Sequence, residues 1–353
     1  MLSIIIVTWN KKKYVLNLLS QLSRINYPSH KLRVIVVDNN SEDDTVDAIS
    51  SSFPEVTLIK NSKNLGGSGG FNTGMRWVLD NNSDCEFMWL LDNDVEVEAD
   101  TLTRLVEALK SETGAAVCGS KVMDIQNRKD IVEVGAFIDY KRGRIRRFVP
   151  DKQENINENQ VFEVDYVAAC SLLVRVDLVK RFGLWYDKLF IYWDDMEWCA
   201  RFKSSGYGII ASNASVVYHP IWNDSATDNS TIWRSYYRSR NSLWFFNNYT
   251  GGIKRRSIIF SLILRIMIKS GVSCIKANKS LSKAYLNGVE DFFKDCYGKR
   301  PHRLPTIDLG LQSDKKIDFI CLVNIILMTF LFLIRGLIGL PAKERSVPLF
   351  NMP

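Results

Sequence analysis

Two kinds of apolar run alternate along the first third of the chain. Leu2 to Val7, Leu32 to Val37, Val56 to Lys60, Phe87 to Leu91 and Ala115 to Val122 are short, mostly apolar stretches rich in β-branched residues. Runs of this length with polar flanks suit strands covered on both faces, as in a parallel sheet. Between them the apolar positions move to helical spacing. Val15, Leu18, Leu19 and Leu22 share one face of Lys12 to Leu22, and Leu102, Leu105, Val106 and Leu109 share one face of Thr101 to Lys110, with Gly114 beyond its end. Strands alternating with helices predict an α/β domain on a mixed, mainly parallel sheet.

The pattern then loosens. Gly143 to Gln160 is polar and charged and reads as a surface loop or edge hairpin; its basic flank, Lys141 to Arg147, reads as solvated, or as a contact for a polyanion. Val161 to Val174 returns to strand-like sequence around the small residues Ala168-Ala-Cys-Ser171, and Val216 to Pro220 is a short strand. Ile253 to Lys279 mixes Ile258, Ile259, Leu262, Ile263 and Ile266 with Arg265, Lys269 and Lys276. That is a basic amphipathic helix suited to an anionic headgroup region. Phe319 to Ile334 is almost wholly apolar before Arg335. It falls short of the ~20 residues a spanning helix prefers, so it reads as interfacial, as spanning with help, or as packing an oligomer.

Composition narrows the class. A chain of 353 residues with 46% hydrophobic residues is globular and holds one large domain or two ordinary ones. Its 7 cysteines form no C-x-x-C pair, which argues against a zinc module or disulfide scaffold and for a reducing compartment. The chain opens directly on a strand, so no signal peptide is expected. The net charge of +7 gathers toward the C-terminal half. That points to an anionic surface, and with no nucleic-acid recognition motif beside it, to a membrane rather than nucleic acid.

Candidate chemistry sits at the strand ends, where open parallel sheets bind ligands. Asp92-Asn93-Asp94 follows the apolar run Phe87 to Leu91. Two carboxylates there can grip a hard divalent cation, or the turn simply caps the next helix. Thr8-Trp-Asn10 and Asp38 close the first two strands, either as hydrogen-bonding groups for a base or ribose or as caps and turns. Asn64-Leu-Gly-Gly-Ser-Gly-Gly-Phe-Asn-Thr-Gly74 carries five glycines. It reads as a ligand loop whose amides face phosphate as the chain enters a helix at Met75, or as a flexible linker. It lacks the third glycine of G-x-G-x-x-G and the Gly-Lys-Ser/Thr of a P-loop, which disfavours dehydrogenases and P-loop enzymes. Phe190-Ile-Tyr-Trp-Asp-Asp-Met-Glu197 leads aromatics into paired acids. Asp194 reads as an N-cap and Asp195 as a general base or part of the same cap. His219, one of only three histidines, ends a β-rich run.

In this order the motifs Ile4-Ile-Ile-Val-Thr-Trp-Asn10, Val36-Val-Asp-Asn-Asn-Ser41, Asn64 to Met75, Leu91-Asp-Asn-Asp94, Phe190 to Glu197 and Val217-Tyr-His219 form a pattern. The chain resembles family 2 glycosyltransferases of the type A fold, which are inverting, metal-dependent and use nucleotide sugars. The glycine-rich stretch and the Trp-Asp-Asp pair look most like bacterial galactofuranosyltransferases of surface polysaccharide pathways, and rhamnosyltransferases share much of the pattern. The resemblance implies Mn2+ or Mg2+ on Asp92, Asp94 and His219. It implies Asp195 as catalytic base with Asp194 beside it. Donor contacts would come from Thr8, Asn10, Asp38, Asn93 and the run Asn64, Gly66, Gly67, Gly69, Gly70 and Asn72. Tyr192 and Trp193 would offer a wall for the acceptor sugar, or pack in the core.

The expected organisation is a catalytic domain over 1–235, with a nucleotide-sugar half over 1–125 and an acceptor half over 126–235, then a helical membrane-associating region over 236–353. The expected partners are a nucleotide-sugar donor, a lipid-linked saccharide acceptor and the inner face of the cytoplasmic membrane, with the enzyme cytoplasmic and peripheral and a homo-oligomer left open. Three readings compete: a galactofuranosyltransferase using a UDP donor, a rhamnosyltransferase using a dTDP donor, and a non-catalytic sugar-nucleotide or membrane-binding module. The full set Asp92, Asp94, Asp195 and His219 speaks against the third. A nucleotidyltransferase is disfavoured because Thr8-Trp-Asn-Lys-Lys-Lys13 is not the glycine-rich basic loop it needs.

Overall fold

The structure, a computed structural model, describes residues 1–150, 157–221, 229–276, 278–300 and 329–334. The chain opens as β1 (Leu2–Thr8), α1 (Lys12–Leu22), β2 (Leu32–Asp38), α2 (Thr45–Ser52), β3 (Thr57–Lys60) and α3 (Gly66–Asn81). It continues as β4 (Phe87–Asp92), β5 (Glu96–Val97), α4 (Thr101–Ser111), β6 (Ala115–Asp124), β7 (Ile131–Glu133), β8 (Gly135–Asp139) and β9 (Arg144–Phe148). Then come β10 (Val161–Val164), β11 (Ser171–Arg175), α5 (Val176–Phe182), α6 (Asp194–Ser204), β12 (Gly208–His219), α7 (Asn229–Tyr249), α8 (Gly252–Ile275) and α9 (Lys279–Phe293).

Ten strands form one sheet in the order β10-β12-β6-β11-β4-β1-β2-β3, with β5 on β12 and β7 on β6. The pairs β4-β1, β1-β2, β2-β3 and β6-β12 are parallel, as the strand–helix alternation predicts. β11 inserts antiparallel between β4 and β6. The stretch expected to be strand-like from Val161 to Val174 is therefore two strands, β10 and β11, with Ala168-Ala-Cys170 in the connection.

The alternation of side chains along β4 explains its unbroken apolar run. Met88 and Leu90 enter a core shared with Phe71, Met75 and Val78 of α3. Phe87, Trp89 and Leu91 enter a second core with α1 and α4 on the opposite face. Each such side chain, fully buried, contributes about 1.5–3 kcal/mol. The glycine-rich run is not a loop before a helix, as the sequence suggests, but the first turns of α3 itself. A Cβ on Gly70 would lie 2.5 Å from Val7 Cγ1, and one on Gly74 would lie 2.4 Å from Ile5 Cγ2. These glycines let α3 lie directly on β1.

α7, α8 and α9 pack on one another through Leu243, Phe245, Phe246, Ile263, Leu286 and Phe292. The same core takes in Tyr186, Leu189, Met196 and Ala200, so the helices are joined to the α6 region by shared packing. Residue 235, the expected boundary, falls inside α7. The basic hairpin expected near Gly143 is β8-β9, and its turn docks on α8, where the Arg265 guanidinium donates to the carbonyls of Arg142 and Gly143 at 3.0 and 2.8 Å. The amphipathic helix expected over 253–279 is α8. Its inner face is buried and Ile253, Leu264, Ile268, Val272 and Ile275 remain exposed. Of the apolar stretch 319–340, only the helical residues 329–334 lie among those described, with Phe332 stacked on Phe293 at 5.7 Å.

Candidate active site

Topology assembles the acidic centre. β4 ends at Asp92, and the turn through Asp94 leads into β5, which pairs antiparallel with the end of β12 in the register Val97 opposite Val217 and Glu96 opposite Tyr218. The next residue of β12 is His219, which this pairing carries back beside the turn. His219 Nε2 lies 3.4 Å from Asp94 Oδ1 and 3.9 Å from Asp92 Oδ2. Ligand atoms of Asp92, Asp94 and His219 all lie within 4.8 Å of one another. Two carboxylates and an imidazole at this spacing fit a divalent cation that accepts oxygen and nitrogen donors, such as Mn2+ or Mg2+.

The protonation of these groups reflects their crowding. Removal from bulk water, and then the Asp94 charge, push Asp92 up to about 7. Burial opposes ionisation of Asp94, but the His219 hydrogen bond and charge hold it below the usual carboxylate range. Burial likewise opposes the charged imidazole, and Asp94 outweighs it, so His219 is raised.

Asp194 and Asp195 begin α6. Trp193, in the left-handed region at φ 72°, is the N-cap, so Asp194 does not cap the helix as its position in the sequence suggests. Asp194 is buried and accepts from Ser68 Oγ at 2.5 Å. Burial, then the Asp195 charge, raise it to about 7. Asp195 Oδ2 accepts from Tyr166 Oη at 2.9 Å and from the Ala169 amide at 3.2 Å, and Oδ1 accepts from the Met196 amide at 2.8 Å. Burial raises Asp195 despite these donors. Its charge also helps to raise Asp92.

At the other strand ends, Thr8 and Asp38 are direct register partners. Thr8 Oγ1 accepts from Asn93 Nδ2 at 2.9 Å. Asp38 Oδ2 accepts from the Ser41 amide at 3.0 Å, while its buried Oδ1 has no partner among the described residues. Such an acceptor costs about 1–3 kcal/mol if left unmet, so a ligand donor there is favoured. Asn10 is exposed and its side-chain oxygen accepts from the Glu42 amide at 2.8 Å, tying the first two loops together.

The glycine-rich run divides. Asn64 Oδ1 accepts from the Gly66 amide at 2.8 Å, shaping the start of α3. Gly67 is open, with Asp194 Oδ2 3.9 Å from where its Cβ would be. Gly69 faces Leu65 and Gly70 faces Val7, not a cleft. Asn72, expected at the donor, is buried and pairs with the Trp185 backbone through both its amide and its carbonyl at 2.9 Å. Trp193, expected to face an acceptor, packs against Phe245 and Phe246 at 5.3 and 5.7 Å. Tyr192 stacks on Trp233 at 5.9 Å and stays half-buried. Sequence reasoning passed over Tyr166, Ser68 and Asn39. Asn39 donates from Nδ2 to the Gly66 carbonyl at 2.8 Å; Asn39 and Ser68 lie inside quoted motifs without having been singled out, and Tyr166 lies outside every motif.

A mainly parallel sheet, an Asp-x-Asp turn at the end of β4 and a histidine returned to it by an antiparallel strand define the type A glycosyltransferase class. The chain belongs to glycosyl transferase family 2, whose model matches residues 3–181. Galactofuranosyltransferase GlfT2 of Mycolicibacterium smegmatis is 25% identical over 200 residues, covering 52% of this chain but only 30% of that protein. The chain thus spans less than a third of that relative's length. The dTDP-rhamnosyl transferase RfbF of Shigella flexneri is 24% identical over 297 residues, 81% of this chain and 94% of the relative. Among solved structures, the mannosyltransferase PcManGT of Pyrobaculum calidifontis, in complex with GDP-Man and Mn2+, shares the fold at a TM-score of 0.52 and 16% identity, covering 82% of this chain and 74% of that one. GalNAc-T7 with UDP, GalNAc and Mn2+ does so at 0.57 and 14%, covering 73% and 49%.

Proposed function

We propose that this chain is a metal-dependent inverting glycosyltransferase that moves galactofuranose from UDP-galactofuranose onto a lipid-linked glycan in bacterial surface polysaccharide synthesis, O-antigen, capsule or cell wall. The observation that carries this reading is the grouping of Asp92, Asp94 and His219 within 4.8 Å of one another, with the charge of Asp195 felt at Asp92. The galactofuranosyltransferase relatives support the choice of sugar.

Asp195 takes the proton of an acceptor hydroxyl. The oxygen bonds to the anomeric carbon as that carbon's bond to the diphosphate breaks on the opposite face, giving inversion without a covalent intermediate. The Tyr166 hydroxyl and the Ala169 and Met196 amides fix the carboxylate for this transfer. Asp92, Asp94 and His219 would hold Mn2+ or Mg2+, which supplies charge neutralisation to the departing diphosphate. Asp38 Oδ1, with Thr8 and Asn93 beside it, is placed to accept from the nucleoside.

A rhamnosyltransferase using dTDP-rhamnose is the second reading, favoured by the near full-length match to RfbF. In either case the exposed apolar residues of α8, with Lys254, Arg256 and Lys269 exposed on the same helix, support a position against the inner face of the cytoplasmic membrane, where a lipid-borne acceptor would reside.

Calorimetry with UDP-galactofuranose and dTDP-rhamnose, each with and without Mn2+, tests the donor. Metal-dependent binding of the first supports galactofuranosyl transfer, and preference for the second substitutes rhamnose. Asp92→Asn and Asp94→Asn should lose Mn2+-dependent binding. Asp195→Asn should keep it and lose about 10²–10⁴ in Mn2+-dependent donor hydrolysis. Unchanged hydrolysis in Asp195→Asn removes Asp195 from its role.

A further inference from the structure

The paired acids enter α6 from an unusual turn. Phe190, Tyr192 and Trp193 have φ of 69°, 63° and 72°, the left-handed region that non-glycine residues seldom occupy. Such a turn persists only where its surroundings over-determine it. Its carbonyls project away from any ladder and need donors from elsewhere.

Those donors come from far along the chain. Asn241, fully buried, shares the two hydrogens of Nδ2 among the carbonyls of Leu189, Ile191 and Tyr192 at 3.0, 2.9 and 2.9 Å. Arg240, buried beside it, donates from one terminal nitrogen to Leu189 O at 3.0 Å and from the other to Gly298 O at 3.0 Å. Arg240 Nε donates to Asn241 Oδ1 at 2.9 Å, which fixes the orientation of the amide. The guanidinium lies over the rings of Tyr236, Tyr237 and Tyr297 at 5.3, 5.0 and 5.5 Å, so its plane is set as well. On the opposite side α3 closes the clamp: the Ser68 amide donates to Phe190 O at 3.2 Å, and any Cβ on Gly66 would meet that oxygen at 2.1 Å.

We propose that Arg240 and Asn241 of α7 are positioning residues, which hold the left-handed turn 189–193 and thereby set where Asp194 and Asp195 lie. The inference rests on the reading of Asp195 as the catalytic base. It also makes α7 part of the catalytic apparatus rather than the start of an appendage.

The test uses the full chain with Asn241→Ala, Asn241→Asp and Asp195→Asn. Asn241→Asp keeps the shape and turns donors into acceptors facing carbonyls. Two readouts are taken: hydrogen exchange of the backbone amides at 190–195, and Mn2+-dependent hydrolysis of UDP-galactofuranose and dTDP-rhamnose in parallel. Exchange at 190–195 should rise at least about tenfold while β1–β4 stays protected. Turnover should fall about 100-fold, as for a misplacement of roughly 1 Å, with donor KM and affinity for UDP with Mn2+ within about twofold. Unchanged exchange at 190–195 overturns the proposal whatever the activity. Raised exchange with turnover within threefold of the parent, while Asp195→Asn has lost it, overturns it too. Parental turnover in Asp195→Asn instead removes the base reading, and the exchange readout then decides the clamp by itself. Arg240→Lys, which keeps charge but loses the planar fork, takes the same two readouts if the Asn241 variants do not fold.

Discussion

Asp195 shows how one carboxylate is set for its task by what touches it. Burial raises it, and the Tyr166 hydroxyl and two amides draw it back by stabilising the charged form. Tyr166→Phe removes one of these donors, so the pKa of Asp195 rises further. A base acts ionised, and its activity fades as pH falls through its pKa. The acid limb of kcat/KM should therefore shift to higher pH in Tyr166→Phe, with loss at pH 6 exceeding loss at pH 8, and a pH–rate profile measures this. A limb that stays in place means that Tyr166 does not govern the base. Tyr166 is also the residue a reader of the sequence passes over. It lies in the connection between β10 and β11, inside the stretch Val161 to Val174 that reads as one strand, where it bridges to Ala136 and its hydroxyl meets Asp195. The metal triad is legible because its members end continuous apolar runs, and a strand end fixes where a side chain lies.

At the scale of the element, α3 is where the sequence misleads. Five glycines in so short a stretch argue against helix, since each costs about 1 kcal/mol relative to alanine. Tertiary contact overrides that preference. The helix lies so near β1 that side chains at 70 and 74 have no room. Asn72 was equally hidden, because its partner Trp185 is 113 residues away. Gly70→Ala should destabilise the fold by about 1–3 kcal/mol through overpacking. Gly67→Ala, whose new Cβ meets nothing closer than 3.8 Å, should melt at or slightly above the parent temperature. Thermal denaturation of the two variants checks the pair. Equal melting points would mean that α3 does not depend on the close approach. α1, α4 and the strands β1, β2, β3, β4 and β6 were legible within a residue or two, because each is one clear apolar run or helical stripe. β12, expected at Val216 to Pro220, begins at Gly208, and α5 and α9 were not anticipated.

For the whole molecule, the catalytic half and the helical region share one core. Glu197 of α6 is fully buried, pairs with Arg201 and accepts from Tyr249 Oη of α7 at 2.7 Å. Burial works against the Arg201 charge, and Glu197 more than restores it. Breaking such a pair by removing one partner costs about 3–5 kcal/mol. The pair lies within α6, and the tie to α7 is the Tyr249 hydroxyl together with the core that Met196 and Ala200 share with Phe245 and Phe246. α8 has the length and apolarity of a membrane-crossing helix, yet half of that apolar window is buried in the protein. Its outer face fits an interfacial contact. Flotation with vesicles containing anionic lipid should recover the parent protein, and Ile268→Glu with Val272→Glu should reduce recovery several-fold. Equal recovery would assign membrane contact elsewhere. The sequence exposed the apolar stripe of α8 but not its division into an inner and an outer face, because both faces carry isoleucine.

The antiparallel insertion of β11 also dictates a schedule. β4 bears the acidic turn, but its outer edge is closed only by β11, and Trp89 waits for the hydroxyl of Ser171, 82 residues later. At a ribosomal pace of 5–20 residues per second, that edge stands open for about 4–16 s after β4 emerges. During this interval Phe87-Met-Trp-Leu-Leu91 is a bare apolar strand edge in the nascent chain, the kind of segment that invites pairing with another copy. The strand that supplies the acidic centre is thus an aggregation-prone part of the newborn protein until β11 arrives, and a slow stretch of translation just before Ser171 would lengthen its exposure.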